Sequence, residues 1–569
     1  MVTTSVCRQV LEELRTAVQN EWLLVSKPQE QWKALEAPVL RPVAGSTLFL
    51  SALDLDDKLF EGSQSAVRLD GVEFRAEVVG LAIGELLLRI DNCTVTEATR
   101  CEIRVPIPSY LESLGEFLEE CLASMPADAD LAPGPALATA MALEPDRRGT
   151  LAERIGYVIG PPGSGKTTAL MDQVMSLTRQ GQRAAVVTYT NAAADLVFSR
   201  LAGRLQPGAD FMLCRFGITD VAQQVELDAD AGGVFATDQV REIEDANVLV
   251  TTAYRALVCC RNGIQPFDHL LIDEASTMPI SLAWVTASLA IKSISIYGDP
   301  FQLGPIAQSE NDPESTLLQR FGSSPFDIPG LLDGETVDDH ISVLQRQFRM
   351  PPALSSASAV PLYRRESPTD NEYSVEPTSP WGSRSLLHLN TAAIGAIGER
   401  ASKSRRNAKH VDVVVEVIRL LLEQNVIEPE AAADSLLVIT PYRLQRSDIH
   451  RALHSTGWFD EHQIRRMVTT IHRAQGQERD FVILDITDAP SGDPTDHSVI
   501  GRLWGGTGWH SGGARLLTTA LSRARQQALV IMHRGVTGTA EDPYDPNARP
   551  LARLNALLNV WGEEADIRL

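Results

Sequence analysis

Seven cysteines are scattered through 569 residues, and no two of them stand in a C-x-x-C pair. That spacing offers neither a zinc site nor a disulfide framework, so an intracellular, reducing compartment (cytoplasmic, or nuclear in a eukaryote) is the default expectation. No stretch approaches the apolar length that spans a bilayer, and no membrane association is expected. Near the start, Glu12, Glu13, Arg15, Asn20 and Glu21 interrupt anything that could serve as the apolar core of a secretion signal. Positive charge is scarce. Lys and Arg number 51 against 74 Asp and Glu, for a net charge of −23. Taken alone, that balance argues against a nucleic-acid coat protein. It leaves open a machine with a local basic track, because the field along a groove is what a polyanion meets. No internal repeat is visible.

What is there is a globular chain with ample core: 44% hydrophobic and 22% charged residues, over a length that suggests three or four domains. Residues 5–25 carry an apolar stripe, Leu11, Leu14, Val18 and Trp22, at helical spacing. From 45 to 105 the texture turns to β, with Val72, Phe74, Ala76 and Val78 alternating and turn signals at Asp70-Gly71 and Gly84-Glu85. A helical stripe returns at Leu111, Leu114, Leu118 and Leu122, and an Ala/Pro-rich linker follows to about 148. Beyond 151, apolar runs alternate with helical patterns in two sets. The first holds "AAVVT", "NVLVTT", "HLLIDEA" and "SISIYGDP"; the second holds "SLLVITPY", "RMVTTIH", "DFVILDIT" and "ALVIM". Such alternation implies parallel α/β sheets, and two sets imply two such domains. The expected division is 1–44, a first stalk helix region; 45–105, a small β module; 106–150, a second stalk helix and linker; 151–335 and 336–569, two α/β domains.

The run Gly160-Pro161-Pro162-Gly163-Ser164-Gly165-Lys166-Thr167 fits G-x-x-x-x-G-K-[ST] at every fixed position. Glycines let backbone N–H groups close on phosphate oxygens, a lysine reaches the β- and γ-phosphates, and the hydroxyl of Thr167 meets Mg²⁺. A strand-like run, 155–159, precedes the loop. Leu170, Val174 and Leu177 follow at helical spacing, so a helix would aim its positive end at the phosphates. Downstream, "LLIDEAS" ends an apolar run with adjacent carboxylates. Asp273 is placed to hold the Mg²⁺ shell and Glu274 to deprotonate an attacking water. Gln302, in "YGDPFQLGP", is placed to sense the γ-phosphate. A developing phosphoryl charge needs cations beyond Lys166, and Arg349 in "LQRQFRMPP" and Arg523 in "LLTTALSRARQQAL" are the candidates.

Taken in order, "GPPGSGKTT", "TYTNAAAD", "LVTT", "DEAS", "GDPFQLGP", "QRQFRMPP", "ITPYRLQ", "TTIHRAQGQERDFVIL" and "LLTTALSRARQ" span about 160 to 527. The set resembles superfamily 1 helicases, specifically the 5′-to-3′ branch (superfamily 1B) that includes the nonsense-mediated-decay RNA helicase and its DNA-acting relatives. The resemblance implies two tandem RecA-like P-loop motor domains, preceded by a helical stalk carrying a small β-barrel-like module. It implies a monomeric motor that hydrolyses ATP with Mg²⁺ in the cleft between those domains and moves along single-stranded DNA or RNA. Gly160, Pro161, Pro162, Gly163, Ser164, Gly165, Lys166, Thr167 and Thr168 would bind phosphate. Asp273 would hold the metal, and Glu274 would be catalytic. Gln302, Arg349 and Arg523 would couple the γ-phosphate to domain closure. Gly476 and Glu478 would lie near the ribose or phosphates. Thr190, Asn191, Thr252, Pro441, Tyr442, Gln445, Thr470 and Gln475 would lie near the strand, fixing its position without reading its sequence; for Tyr442, packed core or a place near the adenine base are alternatives.

The chain also departs from the family pattern. Residues 65–159 contain no glutamine, where the family has one that reads adenine, so base preference stays open. Thr277 and Gly304 stand where glutamine and proline are common, and His472 and Ala474 where an aspartate and an aromatic are usual. The basic cluster Arg400, Lys403, Arg405, Arg406 and Lys409 reads equally as a lining of the strand channel or as a solvated loop. Two other readings remain. One is a nucleic-acid-stimulated ATPase that remodels protein–nucleic-acid complexes without unwinding them, brought to its place by a protein partner. The other is a ring-type P-loop NTPase, against which the second strand set counts.

Overall fold

A computed structural model describes residues 2–565 apart from 26–31, 36–38, 45–46, 52–63, 83–84, 91–99, 105–108, 126–130, 205–210, 220, 223–224, 227–232, 308, 310–314, 334–335, 338–339, 359–380, 382–383, 402–403, 492–501 and 546. The chain divides into two units. One comprises Met1–Gly160, Gly165–Pro300 and Gly304–Leu344; the other comprises Pro161–Ser164, Phe301–Leu303 and Gln345–Leu569. Each is taken by itself.

In the first unit, the apolar stripe near the N-terminus becomes helix α1 (Thr4–Val25), with Val10, Leu11, Leu14 and Val18 buried. Its partner is α2 (Ser109–Ser124), which turns Leu111, Leu114, Leu118 and Leu122 inward. Between them run seven antiparallel strands: β1 (Trp32–Ala34), β2 (Val39–Ala44), β3 (Thr47–Ser51), β4 (Gln64–Leu69), β5 (Val72–Ala82), β6 (Glu85–Ile90) and β7 (Cys101–Arg104). Their order is β1-β7-β4-β5-β6-β3-β2. Leu50, Val67, Val78, Leu88 and Ile103 make the core of this module. The β texture was expected from 45, and the structure starts it at Trp32. Pro42 lies in β2 at one end of the ladder, where a residue without an N–H costs no internal bond.

Helix α3 (Pro133–Met141) leads to eight parallel strands: β8 (Ile155–Ile159), β9 (Ala184–Thr188), β10 (Leu213–Phe216), β11 (Val234–Thr237), β12 (Val248–Thr252), β13 (Phe267–Ile272), β14 (Ala290–Gly298) and, past the short hairpin β15 (Leu332–Asp333) and β16 (Thr336–Val337), β17 (Ile341–Val343). The order β11-β10-β12-β9-β13-β14-β8-β17 is parallel throughout. Unbroken apolar runs such as "AAVVT" are buried at every position, as strands covered on both faces must be. Helices α4 (Lys166–Arg179), α5 (Asn191–Ala202), α6 (Ala253–Arg261) and α7 (Ile280–Ala287) make the crossovers. Because β17 joins this sheet, the first unit ends at Leu344 rather than at 335.

The second unit has its own parallel sheet, of order β22-β21-β23-β24-β18-β25. After α8 (Pro352–Ser358) come β18 (Leu386–Asn390), a hairpin of β19 (Glu399–Ala401) and β20 (Ser404–Arg406), α9 (Ala408–Glu423), α10 (Ala432–Ser435) and β21 (Leu436–Thr440). They are followed by α11 (Arg443–Thr456), α12 (Glu461–Met467), β22 (Val468–Thr470), β23 (Arg479–Asp485), α13 (Gly512–Leu521), β24 (Ala524–Met532), α14 (Pro550–Trp561) and β25 (Glu563–Glu564). Alternation along the strands splits its apolar residues between two cores. Leu437, Ile439, Val482, Leu484 and Val530 join one, while Leu436, Val438, Ile483, Leu529 and Ile531 join the other.

Close packing also explains one residue that looks wrong for its element. Gly134 sits in α3, where alanine would ordinarily favour the helix by about 1 kcal/mol. A Cβ there would lie 2.2 Å from the backbone carbonyl oxygen of Ser288. Backbone cannot yield as a side chain can, so overpacking outweighs propensity. Gly134→Ala is predicted to destabilise the first unit by about 1–3 kcal/mol in urea titration; a gain in stability would contradict this packing.

Candidate nucleotide and nucleic-acid sites

In a parallel sheet every strand ends on the same edge, so the loops there gather residues distant in sequence. Strand β8 ends at Ile159 and α4 begins at Lys166. The intervening turn needs two left-handed residues, Gly163 (φ +77°) and Gly165 (φ +84°). Within the second unit a Cβ on Gly163 would meet Arg349 Cβ at 2.4 Å, and Gly163 O accepts a hydrogen bond from Phe348 N at 2.9 Å. The Ser164 hydroxyl is buried and unpartnered. Thr168 lies in the first turn of α4.

Within the first unit Lys166 is buried, and its Nζ donates to Gly160 O at 2.8 Å. The Thr167 hydroxyl donates to Asp273 Oδ2 at 3.0 Å, across 106 residues of sequence. Burial, then the neighbouring Glu274 charge, push the Asp273 carboxyl above its ordinary range. A cation beside it would relieve that penalty. Glu274 N donates to Asp273 Oδ1 at 3.0 Å. Glu274 itself holds φ +52°, a left-handed conformation that costs a non-glycine residue on the order of 1 kcal/mol or more. Thr277 fixes that kink: its N and Oγ1 both donate to Glu274 O, at 3.1 and 2.8 Å. Within the first unit, the lysine over the turn and the hydroxyl–carboxylate pair fit a nucleoside triphosphate with Mg²⁺.

The second unit holds Gln302, Arg349, Arg523 and Glu478 in one chain of contacts. Arg523 Nη2 donates to Gln302 Oε1 at 3.0 Å and to Ser522 Oγ at 2.8 Å. Arg349 Nη1 donates to Ser522 O at 2.9 Å, and its Nη2 pairs with Glu478. Gln347 escaped the sequence reading. Its Oε1 accepts from the N of Arg349 and of Met350, and its Nε2 donates to Met350 O, so it shapes the turn that carries Arg349. Gly476 turns with φ +78° ahead of Glu478.

The candidate strand contacts fall in three groups. Thr190 and Thr252 cap α5 and α6, accepting from Ala193 N (3.3 Å) and Arg255 N (3.4 Å), and Asn191 opens α5. Thr470 is buried with its hydroxyl unpartnered, and Gln475 Nε2 has no partner either. Pro441, Tyr442 and Gln445 are buried. The Tyr442 hydroxyl donates to Asp488 Oδ2 at 2.9 Å. Gln445 has no exposure; its Oε1 accepts from Asn407 N, and its Nε2 donates to Asn407 O and to Asp485 Oδ2 at 2.6 Å. The basic cluster is largely neutralised in place. Arg405 pairs with Asp488 (3.1 Å), Arg406 with Glu399 (2.7 Å) and Lys409 with Asp412 (4.0 Å). Lys403 lies outside the described residues.

Gln445 belongs to a hub invisible in the sequence. Asp485, at the end of β23, also lies 2.7 Å from His410 Nδ1 and accepts from Thr487 N at 2.7 Å. His410 Nε2 lies 2.8 Å from Thr391 Oγ1. Thr487 stands at φ +67°, an outlier for a β-branched residue. It is held there by Thr440 Oγ1 at 2.9 Å and by Asn407 Nδ2, which donates to Thr487 O at 3.1 Å. Removing the carboxylate strands several buried donors together. Asp485→Ala is therefore predicted to lower unfolding free energy by about 3–5 kcal/mol, read in urea titration; a change within experimental scatter would show that the hub carries no weight.

Residues 147–308 match the model of one AAA domain family, and residues 322–535 that of another. A DNA replication ATP-dependent helicase/nuclease of Arabidopsis thaliana is 23% identical over 407 residues, covering 67% of this chain and 27% of that one. The regulator of nonsense transcripts 1 homolog of the same plant is 23% identical over 429 residues, 68% of this chain and 32% of its own. A human RNA helicase is 25% identical over 353 residues, 58% and 28%. The chain thus spans about a quarter to a third of the length of these curated relatives. Among solved structures, the arterivirus nonstructural protein 10 helicase covers 94% of this chain and 81% of its own at 15% identity, with a TM-score of 0.40. The two AAA domain matches lie in tandem along the chain, over the stretch that holds the nine motifs, and two of these similar proteins are helicases.

Proposed function

We propose that the chain is an ATP hydrolase that moves along single-stranded DNA or RNA and unwinds duplex, working 5′-to-3′ as its branch does. One observation carries this reading: the Thr167 hydroxyl set against Asp273, with Lys166 at the mouth of the same turn. Lys166 would neutralise the β- and γ-phosphates, and Thr167 with Asp273 would hold Mg²⁺, which supplies charge neutralisation at the phosphates. Glu274, kinked out of the strand and braced by Thr277, would take the proton of the attacking water. Arg349 and Arg523 are the candidates for the remaining positive charge. Thr190, Asn191, Thr252, Thr470 and Gln475 would hold the strand through hydroxyl and amide groups, without sequence preference. The motor would act as a monomer, directed by a protein partner.

Lys166→Ala is predicted to lose ATP turnover. Glu274→Gln should bind a fluorescent ATP analogue as the parent does, yet turn over at most about a hundredth as fast. Normal turnover by Lys166→Ala would remove the site assignment. A strand-displacement assay beside the ATPase assay separates unwinding from remodelling; turnover without displacement would favour the remodelling ATPase.

A further inference from the structure

The turn that carries Arg349 is built around one buried carboxamide. Residues 348–350 bend the chain just ahead of α8, and no glycine stands in the bend. Gln347 is only 2% exposed. Its Oε1 accepts from Arg349 N at 2.9 Å and from Met350 N at 2.7 Å, and its Nε2 donates to Met350 O at 2.6 Å. Both peptide units that flank Arg349 are thereby fixed to one planar amide. The remaining N–H of the bend, on Phe348, donates to Gly163 O in the phosphate turn at 2.9 Å. Met350 is buried in the core of the second unit with Leu354, while Phe348 stands largely exposed. The bend is therefore fastened from its inner side.

The chemistry of the amide suits this place. Two N–H groups need an oxygen with two lone pairs, and a carbonyl needs a donor; a glutamine side chain offers both. The consequence falls on Arg349. An arginine side chain is long and has many rotamers, so its guanidinium reaches a given point reliably only from a fixed backbone. Arg349 also has little latitude at its root, because a Cβ added to Gly163 would lie 2.4 Å from Arg349 Cβ. Further out, its Nη1 donates to Ser522 O at 2.9 Å and its Nη2 pairs with Glu478. A positive charge aimed at a developing phosphoryl oxygen acts most strongly when it is held in place beforehand. A displacement of about 1 Å can cost a hundredfold in rate.

We propose that Gln347 is a positioning residue for phosphoryl transfer, one that fixes the backbone of Arg349 so that its guanidinium meets the charge that develops on the phosphate during hydrolysis. This rests on the ATP-hydrolase reading above, in which Arg349 supplies part of the positive charge. Gln347 acts through Arg349 and not on the nucleotide.

The test is steady-state ATP hydrolysis by the full chain at saturating oligothymidylate or oligouridylate. Affinity for a fluorescent ATP analogue is measured beside it, and urea titration checks folding. Arg349→Ala should lower kcat about a hundredfold or more. Gln347→Ala should lower kcat about ten- to a hundredfold while the Kd for the analogue stays within about twofold, the split that marks a contact made only in the transition state. The two substitutions together should be at most about twofold slower than Arg349→Ala alone, since the glutamine works through that arginine. If Gln347→Ala is unstable, Gln347→Met decides the matter, because methionine keeps the volume and removes all three hydrogen bonds. Parental kcat in the folded variant overturns the proposal. So does a loss that multiplies with that of Arg349→Ala, or one confined to Kd. Parental kcat in Arg349→Ala is a different failure: it removes that arginine from the hydrolase reading, and the proposal with it.

Discussion

The account depends on a single hydrogen bond, from the Thr167 hydroxyl to the Asp273 carboxylate. It exists because β8 and β13 lie in one parallel sheet and end on one edge, with β14 between them. A loop leaving the first strand and a carboxylate ending the other are therefore brought within reach, although 106 residues of sequence separate Thr167 from Asp273. Removing Asp273 from water is unfavourable, and the adjacent Glu274 makes it worse. The paired hydroxyl and the lysine immediately before it offset only part of that penalty. A carboxyl held at such cost is one that a divalent cation beside it would relieve.

The edge where parallel strands end is used again in each unit's own sheet, and each time a buried charge organises it. In the first unit Arg215 gathers Asn191, Asp195 and Phe216 O beneath the turns that carry the candidate strand contacts. In the second unit Asp485 gathers His410, Gln445 and Thr487 in the corresponding place, where β23 ends beside β21. The signs are opposite and the logic is shared. A loop that must hold its shape at the surface is anchored by a charge that cannot move without leaving several partners unmet. The left-handed conformations of Glu274 and Thr487 are likewise held by hydrogen bonds, from Thr277 in the first case and through Asp485, Thr440 and Asn407 in the second.

Much of this was legible beforehand, for physical reasons. Strands buried on both faces leave unbroken apolar runs, and a phosphate turn leaves glycines at the positions where φ must be positive. "AAVVT", "LLVIT" and "GPPGSGKT" therefore announced themselves. Contacts made at long range leave no such trace. Gln445 looked like a strand contact because its motif suggested one, and nothing local reveals that Asn407 and Asp485 consume its amide. The basic cluster near 405 looked available because the acids that meet Arg405 and Lys409 lie outside it or turn back from α9. The first β strands escaped because β1 is three residues long and β2 contains a proline. Strand β17, also three residues, escaped likewise, and moved the end of the first unit to Leu344.

The most direct measurement is steady-state ATP hydrolysis by the intact chain, with and without single-stranded nucleic acid, across a salt series. The account predicts that DNA, RNA or both accelerate turnover, and that the acceleration fades as salt releases the strand's hold on the protein. A rate that is the same with and without either strand, at every salt concentration, would contradict it.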